Sequence, residues 1–173
     1  MNFDEVKRQL EQEGNSKNGS IVDSMPFKFF EPFIVQGIKV DLVEPGRVIC
    51  SMTVPPRLLY MTELIIEFLM FLECGKNTAN SLHGGATAAL VDILGSAAIY
   101  TTKLASPGSG VSVEISVSYV DAAYAGEEIE IESKVLRVGK AIAVVTVELR
   151  KKKTGKVIAH GRHTKYLAVA SKL

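Results

Sequence analysis

The sequence predicts an α+β fold in which an antiparallel sheet wraps around one long central helix. Two observations carry this reading. From His83-Gly84-Gly85 the chain runs about 20 residues without proline (ATAALVDILGSAAIYTTKL), a helix expected over about 83–103. Its small and apolar side chains lie on every side, so it should be enclosed by other structure. After the loop ASPGSG, four runs follow in quick succession: VSVEISVSYV, EEIEIESKVL, AIAVVTVELR and VIAHGRHTKYLAV. In the first, Val111, Val113, Ile115, Val117 and Tyr119 share one face. Alternation with a single apolar face belongs to antiparallel strands that cover something on one side only, and the central helix is that something.

The remaining elements fall in order before it. Phe3, Val6 and Leu10 form one helical stripe over residues 3–13, and the turn-rich GNSKNG after it closes a helical N-terminal extension over 1–24. A second short helix or turn is expected from Ser24 to Phe30. IVQGIKVDLV and VICSMTVP then read as a strand pair joined at Glu44-Pro45-Gly46-Arg47. Leu58 to Leu72 is almost wholly apolar, broken by Glu63 and Glu67, which share a face of a helix. A membrane span needs roughly 20 apolar residues, so a buried or subunit-contacting helix is the better expectation there.

The bulk numbers bound the class. At 173 residues, with 47% hydrophobic and 23% charged residues, the chain reads as a single globular domain with a proper core. A net charge of +1 offers no electrostatic reason to expect nucleic acid as a partner. Cys50 and Cys74 are too few for a disulfide framework or a zinc site, so free thiols in a reducing compartment are expected. Ser171-Lys172-Leu173 matches the tripeptide read by the peroxisomal import receptor, which leads to the expectation of a soluble protein of the peroxisomal matrix.

The chemistry starts from Asp92, a carboxylate in the middle of the central helix. No Lys or Arg lies at i±3 or i±4, where Ala88, Ala89, Gly95 and Ser96 stand instead. Desolvating an unpaired charge is expensive, so either a distant residue satisfies Asp92 or it faces a cleft where the charge is used. The complement is the Gly84-Gly85 pair at the helix start. The first N–H groups of a helix lack intrahelical partners and carry the positive end of its dipole, and glycine permits a carbonyl oxygen to approach them. Gly84 and Asp92 are eight residues apart, about 12 Å along a helix axis. One acyl carbonyl cannot touch both, so if both serve one reaction they come from two subunits, and a two-fold dimer holds two equivalent sites.

Together the residues are familiar. Asn77-Thr-Ala-Asn-Ser-Leu-His83-Gly84-Gly85, Asp92 nine residues after His83, Pro107-Gly-Ser-Gly-Val111-Ser112-Val113, Thr154-Gly155-Lys156 and Gly161-Arg162-His163-Thr164-Lys165 resemble the hotdog-fold acyl-CoA thioesterases. Within them the likeness is to the acyl-CoA thioesterase 13 (thioesterase superfamily member 2) branch, over roughly residues 25–58 and 76–168. The resemblance implies that Asp92 activates water or attacks the thioester carbonyl, that the Gly84 N–H polarises that carbonyl with Asn77 assisting, and that Ser112 positions the water. His83 shapes the loop before the helix rather than acting as a base, and His83, Gly85 and Ser96 are assigned to substrate binding. The family implies an acyl-CoA substrate, fatty or aroyl, dimers whose sheets join edge to edge, often paired into tetramers, and no metal or redox cofactor.

The chain departs from the family pattern in two places. The Leu58–Gly75 run is longer and more apolar than the usual connection, as an inserted interface helix or a splice variant would be. Strict alternation puts Ser112 on the polar face with Glu114 and Ser116; a bulge or subunit boundary near Gly110 is what would turn it to the helix. Arg150-Lys-Lys-Lys153 with Lys156 reads as a solvated turn, with CoA phosphate binding as the alternative. His160 and His163 show no partner for triad or metal chemistry and read as structural. The rival functions are a hotdog enoyl-CoA hydratase, which wants His and carboxylate in one site, and a non-catalytic acyl-CoA-binding module, which gains nothing from a costly charge at Asp92. A serine hydrolase lacks its G-x-S-x-G signal.

Overall fold

A computed structural model describes residues 29–60, 80–102 and 110–167 of the chain. Two compact units are distinguished, Met1–Phe33 and Ile34–Leu173; of the first, the described part is Phe29–Phe33, which enters helix α1 (Phe30–Val35). The expected N-terminal helix, Asn77, Cys74, most of the Leu58–Gly75 run and the Ser171-Lys172-Leu173 tripeptide lie outside the described residues.

The second unit holds strands β1 (Lys39–Glu44) and β2 (Arg47–Thr53), helix α2 (Gly84–Tyr100), and strands β3 (Val111–Tyr119), β4 (Glu128–Val138), β5 (Ile142–Lys151) and β6 (Val157–Tyr166). They form one six-stranded sheet in the order β1-β2-β4-β5-β6-β3, with every pairing antiparallel. This is the α+β hotdog arrangement the sequence predicts, with two boundaries corrected. Ile34 and Val35, expected at the start of a strand, end α1 instead. Gly37 then turns the chain at φ +88°, a conformation costly for any residue with a Cβ, and the strand begins at Lys39. The apolar run also does not open as a helix. Pro56–Leu58 is a 3-10 turn and Leu59 bridges to Leu82, because Pro55 and Pro56 restrict the backbone just ahead of it.

The sheet packs on α2 through alternate residues. Cys50 and Met52 of β2, Ile129 and Ile131 of β4, Val145 and Val147 of β5, and Ala159 of β6 are buried with Leu90, Val91, Leu94, Ala98 and Ile99 of the helix. Close approach depends on Gly161, where an added Cβ would stand 2.7 Å from the Val91 side chain. Full enclosure of α2, expected from its composition, is not reached. Its other face (Ala89, Asp92, Ile93, Ser96, Ala97) remains half-buried. One sheet can cover only one side of a helix.

β3 differs from its expectation in the same sense. It is an edge strand, and Val111, Val113, Ile115 and Tyr119 are exposed rather than covered by α2. Its alternation is also broken by a β-bulge. Tyr119, Val117 and Ile115 pair with the inward-facing Ala159, Gly161 and His163, but the register shifts between Glu114 and Ser112, so that Ser112 pairs with the inward-facing Lys165 and Val111 with the exposed Tyr166. One extra residue reverses the side-chain parity beyond it. Ser112 thus points to the helix, and its expected place on the polar face is corrected.

Candidate active site

The site assembles where α2 passes beneath the β3 edge. Ser112 Oγ donates to Asp92 Oδ1 at 3.0 Å. His163 Nε2 stands 2.9 Å from the same Ser112 hydroxyl and 3.4 Å from Asp92 Oδ1. The hydrogen positions follow from this network. A carboxylate only accepts, so the Ser112 proton points to Asp92, and His163 must then supply Nε2–H to Ser112. The relay runs His163 to Ser112 to Asp92. In a nucleophilic serine triad the imidazole stands between serine and carboxylate; here the serine stands between them and its proton is committed to Asp92. The trio is therefore a device for holding a carboxylate. Asp92 is not deeply buried as its surroundings in the sequence led one to expect. Its side chain is 44% exposed, and among the described residues its sequence-distant partners Ser112 and His163 both meet Oδ1.

His163, read from the sequence as structural, is the residue that reading missed. It is fully buried, with its Nδ1 edge unpartnered against Gly95. Burial holds its imidazole below the ordinary histidine range; Asp92 acts against this and Lys165 with it. The available signal was its spacing: His163 and Lys165 are alternate residues of one strand face, and Asp92, Ser96 and Tyr100 are i, i+4, i+8 on one helix face. His160, by contrast, is exposed on the opposite face of β6.

Gly95 is what admits the imidazole. A Cβ there would stand 3.0 Å from His163 Nδ1 and 3.1 Å from Val145 Cγ1. Gly95→Ala is expected to push His163 off Ser112, lowering kcat/KM about tenfold. Overpacking of about 1–3 kcal/mol outweighs a helix-propensity gain of about 0.5–1 kcal/mol, so Tm should also fall by a few degrees. Thermal melts and turnover measurements check both.

The helix start has the geometry expected of it, with its donors already engaged. His83 is the N-cap, its Nδ1 accepting from Gly85 N at 2.9 Å. That capping role agrees with a loop-shaping His83 and occupies the nitrogen a base would need. Residues 58–60 run alongside 81–83, through Tyr60 N to Ser81 O at 3.1 Å and His83 N to Leu58 O at 2.8 Å. Tyr60 is thereby set on the helix end. Its ring lies against His83, centroids 4.2 Å apart, and its hydroxyl accepts from Gly84 N at 3.1 Å. On the other side Tyr119 donates to Gly84 O at 3.0 Å. Gly84 and Asp92 lie on one helix, a first and a ninth residue, and among the described residues no contact joins them to a common point. Ser96 sits one turn beyond Asp92 and accepts from Lys165 Nζ at 2.9 Å.

The basic run is not a free phosphate cradle. Arg150 is engaged by Glu130, Glu132 and Glu148, Lys151 by Glu127, Lys152 by Glu128 and Lys156 by Asp121. The turn is solvated as expected, exposed from residue 152 to 156, and among the described residues all of its basic side chains except Lys153 also make ion pairs.

A carboxylate oriented on the central helix at an uncovered sheet edge, on a helix that opens with glycines two turns earlier, is the arrangement of the hotdog-fold hydrolases. The thioesterase superfamily description matches residues 79–158. The chain is 40% identical to acyl-coenzyme A thioesterase 13 of Homo sapiens over 131 residues, covering 75% of this chain and 80% of that one. The solved structure of zebrafish thioesterase superfamily member 2 matches with a TM-score of 0.64 at 35% identity, covering 86% of this chain and 91% of that one. That of thioesterase superfamily member 2 from Mus musculus matches with a TM-score of 0.64 at 33% identity, covering 88% and 98%. The chain belongs to the thioesterase superfamily and is a thioester hydrolase.

Proposed function

We propose that this chain hydrolyses acyl-CoA thioesters, fatty or aroyl, to the free acid and CoA, with Asp92 as the catalytic carboxylate. The observation that carries the reading is the Ser112 hydrogen bond to Asp92 Oδ1, backed by His163. It holds one oxygen and leaves the other free to take a proton from water as the water oxygen adds to the carbonyl carbon. The tetrahedral oxyanion then expels the CoA sulfur, which leaves with that proton as the thiol. If instead Asp92 attacks the carbonyl directly, the CoA thiolate is expelled, an acyl-aspartate anhydride forms and water cleaves it at the aspartyl carbon; label found in Asp92 after a single turnover in labelled water marks this route. The curated relative named acyl-coenzyme A thioesterase 13 supports the substrate class.

The oxyanion donor in this proposal is the Gly84 N–H of a second subunit. Two features favour the dimer: the half-covered face of α2 and the exposed apolar side chains of the β3 edge. A second copy joined along that edge covers both and brings its own helix start to Asp92. In the free enzyme Tyr60 fills the oxyanion position, and the thioester carbonyl displaces it. A phenolic oxygen is a weak acceptor, so the displacement is easy. Tyr60→Phe keeps the ring on His83 and frees the N–H; KM should fall about two- to tenfold, the worth of one hydrogen bond. A drop in kcat instead would mean that the hydroxyl takes part in the reaction.

Release of free CoA thiol from a panel running from acetyl to palmitoyl plus aroyl esters tests the function directly. No release from any member leaves the acyl-CoA-binding reading in its place. The peroxisomal address is part of the same proposal: the chain carrying an N-terminal fluorescent protein should colocalise with a peroxisomal marker and become diffuse when Leu173 is deleted.

A further inference from the structure

Lys165 is a buried ammonium with no carboxylate at ion-pair distance among the described residues. It is 7% exposed, and its Nζ donates to Ser96 Oγ at 2.9 Å and to Tyr100 Oη at 3.4 Å, lying 5.6 Å from the Tyr100 ring centroid. Both acceptors are neutral. An ammonium is costly to bury on neutral partners alone. What the position offers is proximity to the catalytic cluster. Lys165 is the in-register partner of Ser112 on β3 and lies two residues beyond His163 on the same face of β6. On the helix its acceptor Ser96 is one turn, about 6 Å of axis, from Asp92.

We infer that Lys165 is a positioning residue for the hydrolytic reaction: set beside Ser112 and His163, its charge adds to burial in opposing the pull of Asp92 toward an imidazolium, so that Asp92 faces a hydrogen-bond relay. The inference rests on Asp92 being the catalytic carboxylate. The groups facing the His163 ring support it. From α2 comes Asp92, with Gly95 against Nδ1; from β3, the neutral Ser112; from β5, apolar Val145; and along β6, Lys165. Glu114 and Arg162 pair with each other on the opposite face of the sheet. Asp92 favours the imidazolium, and among the described residues Lys165 is the cation that opposes it. An imidazolium there would carry a second N–H, on Nδ1, into a pocket with no acceptor, and would bind the very carboxylate that has to accept the water proton.

The test separates charge from structure. Lys165→Gln keeps a donor for Ser96 and removes the charge; Lys165→Met fills the same volume with apolar atoms and serves if the amide does not fold. The His163 ring is titrated by NMR in the substrate-free protein, its signal assigned by its loss in His163→Gln. Both Lys165 variants are expected to raise its titration midpoint, since each removes the charge that opposes Asp92. The acid limb of kcat/KM should move to higher pH in step, because protonation of the cluster becomes easier. An unmoved His163 midpoint, or a loss of kcat/KM uniform across pH, overturns the inference and leaves Lys165 a packing residue. The NMR titration needs no substrate, so it decides this point even if the chain releases no CoA, whereas an inactive enzyme with a shifted midpoint would count against the acyl-CoA reading alone.

Discussion

Asp92→Asn is expected to lower kcat for acyl-CoA hydrolysis by about 10³- to 10⁴-fold, the upper range for a positioned general base or nucleophile, with KM changed less than threefold. The physical case is narrow. Asparagine has the same shape and still accepts from Ser112 through its carbonyl oxygen, so the relay from His163 survives. What disappears is the second, free carboxylate oxygen, which becomes an amide nitrogen unable to take a proton from water or to attack a carbonyl. Stability should change little, since the side chain is 44% exposed. Substrate binding measured by calorimetry alongside turnover checks the split; a variant keeping a tenth or more of the wild-type kcat would remove Asp92 from the reaction.

The second large effect belongs to the helix start. Gly84→Pro deletes one N–H, and its ring displaces Tyr60 from the helix end. Even a Cβ there would stand 3.1 Å from Tyr60 Oη and 3.4 Å from Tyr119 Cε1, so the variant is read beside Tyr60→Phe. Gly84 is the first helical residue, where proline is tolerated because that N–H has no intrahelical partner. The preceding His83 is already extended (φ −64°, ψ 134°), as a residue before proline requires. Loss of an oxyanion donor costs about 10²- to 10³-fold in kcat. The same variant tests the cross-subunit geometry. Neither Asp92→Asn nor Gly84→Pro homodimers should turn over well. A hybrid of the two has one site made of intact Asp92 and intact Gly84, so an equal mixture refolded together should recover about a quarter of wild-type activity. Mixing without recovery, or an active monomer at sedimentation equilibrium, excludes a shared site.

The fold was legible in the chain because its signals are local. Alternation in EIEIES, AVVTVEL and VIAHGRH and a proline-free apolar run after His83 are short-range patterns set by strand and helix periods, and each produced its element. Asp92 stood out for an equally local reason: no basic residue was within a turn of it. Elsewhere the same local logic failed. Alternation placed Ser112 outward, and only the pairing of β3 with β6 could decide otherwise, since a bulge is a property of two strands together. His163 looked partnerless because its partners are 51 residues away on β3 and 71 away on α2. The engagement of the basic run by Glu127, Glu128, Glu130, Glu132, Glu148 and Asp121 was hidden likewise, being made across strands.

The sequence by itself determined the fold class, the helix that carries the carboxylate, the glycine helix start, and through its motifs the family. Tertiary structure alone decided which way Ser112 points, that His163 and not His83 stands behind Asp92, that Tyr60 rests on the Gly84 N–H, and that a buried Lys165 lies beside the cluster. The division has one physical cause. Secondary-structure propensity and amphipathic period act over a few residues and can be read along the chain. A hydrogen-bond relay is instead set by strand register and the closeness of helix to sheet, here at Gly95 and Gly161, which exist only once distant segments have packed.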